Sequence, residues 1–396
     1  MRTFPLFVTV LAALTAAAVF AGACSSSGGS QLPARMADDD DDDNDNDNDN
    51  DNDVFPDDDD DNDDVSPDDD DNDDQSPVDD DDNDDDNDDV SPADDDSAPM
   101  AWTLMTGISS DLYAVWGLSH SDVFAVGHDA GLNTAAIAHF DGSAWSAISN
   151  AFTGVTLYGV WGFSDADVFA VGATDSGTDQ IASYDGSVWS PVGSPNMGWI
   201  GSIWGASESA VFAVGEAGGI VWNNGSVWNA MSSGVTADLH GVWGFSASDV
   251  YAVGYDNSTQ AGAVVHYDGA TWTPVTGNYR ELYAVWGTAD TDLFAAGYDA
   301  ANDTGVIGHF NGSTLESTDT SVAAWLVGIW GSPADDVFVV GYDSTLAFGS
   351  IFQYNAASWS LMPDGLGSGL NGVWGSSASD VFAVGYNGTI LHYGQP

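Results

Sequence analysis

From residue 100 onward the chain alternates short apolar runs with clusters of Gly, Asp and Ser. One stretch reads Leu157-Tyr-Gly-Val-Trp161-Gly, then Asp167-Val-Phe-Ala-Val-Gly172, then Ile181-Ala-Ser-Tyr184-Asp185-Gly, then Val188-Trp189. Runs this short, rich in β-branched and aromatic residues and closed by turn formers, predict β-strands. Four strands are expected per unit: strand a over 157–161, strand b over 168–171, strand c over 181–184, and strand d from about Val188. Strands a and b are apolar on both faces, which suits strands packed on either side by neighbours. Asp-Gly or Asn-Gly at Asp141, Asp185, Asn224, Asp268 and Asn311 joins c to d and signals a tight hairpin.

The unit recurs seven times, with Trp-Gly pairs beginning at Trp116, Trp161, Trp204, Trp243, Trp286, Trp330 and Trp374. Steps of 39 to 45 residues between strand-rich repeats predict an all-β, seven-bladed β-propeller, one repeat per blade. The seventh unit ends after strand c (390–393), whereas Ala101-Trp102-Thr103-Leu104 matches strand d. The N-terminal strand is therefore expected to complete the last blade and close the ring, leaving no open edge at the join. The strand-a Trp and the strand-b Phe (Phe124, Phe169, Phe212, Phe294, Phe338, Phe382, with Tyr251 once) are expected to fill the gaps between blades. An Asp six residues after the Trp recurs at Asp122, Asp167, Asp249, Asp292, Asp336 and Asp380, with Ala210 in the third unit. It reads as a turn residue bonded to backbone amides.

Composition divides the chain further. Residues 1–23 read as a signal peptide, with Arg2 ahead of an apolar run from Phe4 to Phe20. Residues 24–37 form a tether. Residues 38–99 are a linker carrying 36 Asp between Asp38 and Asp96. Such a segment cannot offset its ordering entropy and is expected to be extended and disordered. Residues 100–396 hold every aromatic residue except Phe4, Phe7, Phe20 and Phe55, and are the only part able to bury a core. The propeller block carries one basic residue, Arg280, against 27 acids, and the chain has no Lys. Nucleic acid is therefore excluded as an expected partner, because phosphate binding needs Lys and Arg. Cations or basic protein surfaces would be attracted.

Ala21-Gly22-Ala23-Cys24 resembles a bacterial lipobox, with Ala21 where Leu is usual; the same residues fit an ordinary A-x-A cleavage site. The lipobox resemblance implies a lipid on Cys24, and Ser25 after it implies an outer-membrane lipoprotein. Without the lipid the chain would be secreted. Cys24 is the single cysteine, so no intramolecular disulfide forms. The Trp-Gly-x-Ser-x-x-Asp-Val-Phe-Ala-Val-Gly units resemble a family of bacterial propeller lipoproteins, loosely grouped with BNR repeats. BNR sialidases use an arginine triad, which a block holding only Arg280 does not supply.

Candidate chemistry is sparse. His139, His266, His309 and His392 share one strand-c position and read as scaffold. The acidic linker and the b–c loop acids Asp129, Asp256, Asp299 and Asp343 are candidate Ca2+ ligands or simply solvated. Recognition is better sought where the repeats differ. The residue before strand a reads Asp111, Thr156, Trp199, Asp238, Glu281, Trp325 and Gly369. Trp199, Trp325, Asp111, Asp238 and Glu281 are therefore the candidate ligand rim, with Arg280 beside Glu281 as a local ion pair. The leading expectation is a monomeric, surface-anchored, non-enzymatic module binding a protein, peptide or glycan at this loop face. The alternatives are a glycoside hydrolase or lyase using rim carboxylates, and a calcium-dependent adhesin or matrix protein.

Overall fold

The computed structural model describes residues 100–394, apart from 312–313, 333–335, 344–347, 357 and 364–367. The signal peptide, Cys24 and the acidic linker lie outside the described residues. The propeller consists of seven four-stranded antiparallel sheets. Six are sequential meanders, and the seventh is assembled from both ends of the block. There the strand Ala101–Met105 pairs with Ile390–Gly394, setting Trp102 opposite Tyr393. The Trp102 ring sits 5.3 Å from Tyr393 and 6.0 Å from Phe338 of the preceding blade. The expected seven blades and their closure are both present.

Strands a and b are longer than the apolar runs alone suggest. In blade 2 strand a spans Val155–Ser164 and strand b spans Asp167–Thr174. Pairing continues past the Trp because Gly162 faces Val168 and Ser164 faces Asp167. Only Asp165 and Ala166 are left to make the turn. The c–d connection is a four-residue loop, 141–144 in blade 1, between the paired Phe140 and Trp145. Asp141 accepts backbone N–H bonds from Ser143 and Ala144, both at 2.9 Å, and Gly142 takes the positive φ of 88° that the turn requires.

The Trp-Gly pair is an interlock between blades. A Cβ on Gly162 would fall 2.8 Å from the ring of Trp116 in the blade before it, and Gly117, Gly244, Gly331 and Gly375 are covered in the same way by Trp374, Trp204, Trp286 and Trp330. Trp243 instead donates its Nε1–H to the Gly287 carbonyl at 2.9 Å. Consecutive Trp rings touch from Trp116 to Trp286, 6.0 Å apart for Trp116 and Trp161 and 6.2 Å for Trp204 and Trp243. The apolar core accordingly lies between blades: Phe124 and Ile137 of blade 1 pack with Leu157, Val168 and Trp189 of blade 2.

The recurring Asp does not bond to turn amides as expected. It is the first residue of strand b, and in four blades its carboxylate reaches the strand-c histidine. Asp122–His139, Asp249–His266, Asp292–His309 and Asp380–His392 all have Oδ1···Nε2 at 2.7 Å. Each imidazole also lies against the strand-b aromatic ring, at 4.3 Å in Tyr251–His266. Blade 6 substitutes Gln353, whose Nε2 donates to Asp336 at 3.1 Å. Blade 3 changes both partners together, with Ala210 for the Asp and Trp222 opposite Phe212 for the His. Blade 2 keeps Asp167 but carries Ser183 opposite Phe169. The pair recurs at one structural position in four blades, which marks it as scaffold. A double-mutant cycle on Asp249→Ala and His266→Ala should give a coupling of about 0.5–1 kcal/mol in urea unfolding, the range for a partly exposed pair. Additive effects would contradict a direct bond.

Candidate ligand-binding face

In each complete blade the d–a and b–c loops emerge on the side where strand a begins. The rim residues all fall there, and the structure spends most of their carboxylates on the scaffold. Asp111 accepts the backbone N–H of Asn387 at 2.8 Å, and Asp238 accepts that of Ala217 at 2.8 Å. Both donors are left-handed residues, with φ 56° and 54°, in single-turn helices connecting strands b and c of the neighbouring blade. Each Asp therefore latches one blade to the next. Asp238 also accepts the side-chain amide of Asn257 at 2.6 Å.

Glu281 is buried, 3% exposed, and accepts the Tyr283 hydroxyl at 2.9 Å. Burial, reinforced by the nearby Asp299 charge, raises its pKa above the ordinary carboxylate value. Arg280 does not pair with Glu281: its Nε donates to Asp299 Oδ2 at 3.0 Å. Asp299 further accepts the Ala301 N–H and the Asn302 amide, both at 2.9 Å. Asp129 accepts the N–H groups of Gly131 and Leu132 at 2.9 and 3.0 Å. Asp256 accepts those of Ser258 and Thr259, and these bonds together with the Ser258 hydroxyl lower its pKa. Asp343 ends strand b of blade 6, and the loop 344–347 beyond it lies outside the described residues. Among the described residues no cluster of three His, Cys, Asp or Glu could hold a metal ion.

Trp199 and Trp325 belong to a larger assembly. Two residues beyond the rim position, strand a carries Tyr113, Tyr158, Gly201, His240, Tyr283, Val327 and Asn371. These residues, with tyrosines at the heads of the b–c loops, form a collar of rings. Trp199 lies 5.1 Å from His240, His240 5.3 Å from Tyr283, and Tyr283 6.3 Å from Trp325. Trp325 lies 5.9 Å from Tyr342, Tyr342 5.9 Å from Tyr386, Tyr386 6.1 Å from Tyr113, and Tyr113 5.6 Å from Tyr158. The series passes through every blade and breaks only between Tyr158 and Trp199, where blade 3 carries Gly201. Burial raises the pKa of the Tyr113, Tyr283 and Tyr342 hydroxyls and brings those of Tyr255 and Tyr386 up to about 12. The collar is therefore uncharged at neutral pH.

The rim position drew attention to two collar members, Trp199 and Trp325. Tyr113, Tyr158, His240 and Tyr283 were missed because strand a reads as apolar throughout. Their signal was the period-2 alternation within it: Leu112, Leu157, Leu239 and Leu282 are 0–1% exposed in the core, and the next residue points the other way. The tyrosines before Asp256, Asp299 and Asp343 were noticed only for the acids that follow them.

His240 makes the collar acid-sensitive. Burial among Trp199, Tyr255 and Tyr283 pushes its imidazole from 6.5 down to about 3. Below pH 6.5 the unfolded chain takes up a proton that the folded chain refuses, so stability falls with pH until the folded value is reached. Glu281, with its raised pKa, acts oppositely just above 4.5, within the same range, so the His240 contribution is the difference between the parent and a His240 variant. The His240 contribution between pH 6.5 and 4.5 should be a loss of about 2 kcal/mol in urea unfolding. His240→Phe should flatten that slope, and an unchanged slope would contradict the assignment.

By sequence, no protein-family model matches the chain and no curated protein does. Solved structures match by fold. YCF48 bound to D1 peptide superposes with a TM-score of 0.57 at 14% identity, covering 76% of this chain and 97% of that one. YCF48 from Cyanidioschyzon merolae gives 0.54 at 14% identity, covering 74% and 99%. The WD40 β-propeller domain of Doa1 gives 0.57 at 12% identity, covering 75% and 98%. At these identities the shared property is the fold, and the class of this protein is the seven-bladed β-propeller.

Proposed function

We propose that this chain is a non-enzymatic binding module whose loop face holds a segment of another protein. The observation that supports it is the aromatic collar, which passes through all seven blades. Aromatic rings supply large contact area at low entropic cost, which is why they dominate recognition surfaces. A glycoside hydrolase needs two carboxylates free to act on substrate. Asp111 and Asp238 are instead held by backbone amides of adjacent blades. The loop acids Asp129, Asp256 and Asp299 are likewise engaged in their own turns, so the reading does not invoke calcium. One structural neighbour, YCF48, is described with a bound peptide, which lends the fold-level analogy a ligand class.

In the same proposal the propeller is an outer-membrane lipoprotein of the resembled bacterial family. A lipid on Cys24 anchors it and residues 38–99 space it from the membrane. Cys24→Ser should move the protein from the membrane to the soluble fraction and abolish labelling by a palmitate analogue; persistent membrane recovery would refute the anchor. For the binding reading, random-peptide display should be run against the full chain at physiological ionic strength. Selected peptides should protect residues 108–113, 256–262 and 299–305 from hydrogen exchange. Protection confined to the outer strands, or selection of glycans but no peptides on arrays, would overturn it.

A further inference from the structure

One sector of the collar differs from the rest. Tyr386, Tyr113 and Tyr158 are partly exposed and meet edge-on or tilted, at interplanar angles of 83° and 48°. These three rings keep part of their surface open to solvent, whereas Tyr283 and Tyr342 are buried, 4% and 9% exposed. Asp111 acts electrostatically on both Tyr113 and Tyr386, and Asp175 acts on Tyr158. Asn371 occupies the equivalent strand-a position in blade 7. It is 7% exposed and donates its Nδ2–H to the carbonyl of Leu112, the residue before Tyr113, at 2.9 Å. Its Oδ1 is buried and has no hydrogen-bond partner. A buried amide oxygen left unpaired loses its hydration without compensation, and an N–H donor arriving there recovers that loss.

We propose that Tyr113, Tyr158, Tyr386 and Asn371 form a cage for a cationic side chain, Lys above all, presented by the bound partner. This rests on the binding-module reading and names the chemistry the module selects. The site offers π-faces, a carbonyl oxygen and flanking carboxylates. An ammonium group satisfies all three at once: charge over the ring faces, N–H to Oδ1, and long-range attraction to Asp111 and Asp175. A carboxylate or phosphate finds no cation there, since the propeller block has only Arg280, and that is paired with Asp299 in blade 5.

The test is an NMR titration of the full chain with acetyl-Gly-Lys-Gly-amide at physiological ionic strength, beside its side-chain-acetylated and side-chain-trimethylated forms. The acetylated form should not bind detectably. Tyr113→Leu and Tyr158→Leu should each weaken the lysine peptide by about fivefold or more, while Tyr113→Phe, which keeps the ring, should stay within about twofold. Asn371→Leu should weaken the lysine peptide but not the trimethylated one, which has no N–H to give. Each variant is first matched to the parent by thermal melting, and either Tyr→Leu change alone carries the test if the other fails to fold. Equal affinity of parent and folded Leu variants, or equal binding of the acetylated peptide, would overturn the cage. Display-selected peptides that bind independently of Tyr113 would leave the binding module standing and sink only the cage. Lysine binding without any selected peptide would do the reverse.

Discussion

Gly172→Ala should destabilise the propeller by about 3 kcal/mol or more, whereas Gly193→Ala, in the same blade, should change it by less than about 0.5 kcal/mol. Both substitutions add one methyl group. At Gly172 the new Cβ would lie 1.9 Å from the Thr156 carbonyl oxygen and 2.8 Å from the Leu157 Cα, whereas at Gly193 nothing lies within 4 Å. The obstacle at Gly172 is backbone, which cannot swing aside as a side chain would. Strand a carries a register shift between Leu157 and Gly159, and the rim residue's carbonyl approaches strand b just before it. The same approach occurs at Gly127, Gly215, Gly254, Gly297, Gly341 and Gly385, at 1.9 or 2.0 Å in each. This explains why every strand-b phrase ends in Gly. Urea unfolding of the pair settles it, and equal midpoints would show that the bulge can relax.

Deleting residues 101–105 should have the largest effect of all: a lowered melting temperature together with concentration-dependent association. The deletion removes the pairing of Ala101–Met105 with Ile390–Gly394. It uncovers Ile390, Leu391 and Tyr393, which are 0%, 1% and 9% exposed in the closed ring. An open strand edge with that apolar face is a template for pairing with another chain. Trp102→Ala keeps the backbone pairing but removes the ring packed on Tyr393 and Phe338, and should cost about 2–3 kcal/mol without association. Calorimetry with size-exclusion chromatography distinguishes the two contributions. A monomeric deletion variant with an unshifted melting temperature would mean that the terminal strand is dispensable.

The repeat was legible because its determinants are local. The Trp-Gly spacing, the b-strand phrase and the missing seventh strand d are all readable along one dimension, and blades that repeat must pack alike. The recurring Asp was placed wrongly because its partner is not local. Asp122 sits beside a turn in sequence but bonds to His139 one strand further on, 17 residues away. The clue lay in the third unit, where Ala210 and Trp222 replace both members. Arg280 was likewise assigned to its neighbour Glu281, while the folded chain turns Glu281 into the interior and leaves Arg280 to Asp299.

The amino-acid sequence by itself determined the number of blades, the closure by Ala101–Met105 and the strongly anionic character of the whole. These follow from periodicity, composition and the cost of an unpaired strand edge. Tertiary structure alone decided which rim side chains are held by the scaffold and which rings meet. Asp111 looks like a free rim acid until the ring brings Asn387 of blade 7 against it. Tyr113, Tyr158 and Tyr386 come from blades 1, 2 and 7 and meet only because the first blade follows the last in space. A circular closure joins residues that are far apart along the chain, and contacts of that kind leave no spacing for a linear reading to detect.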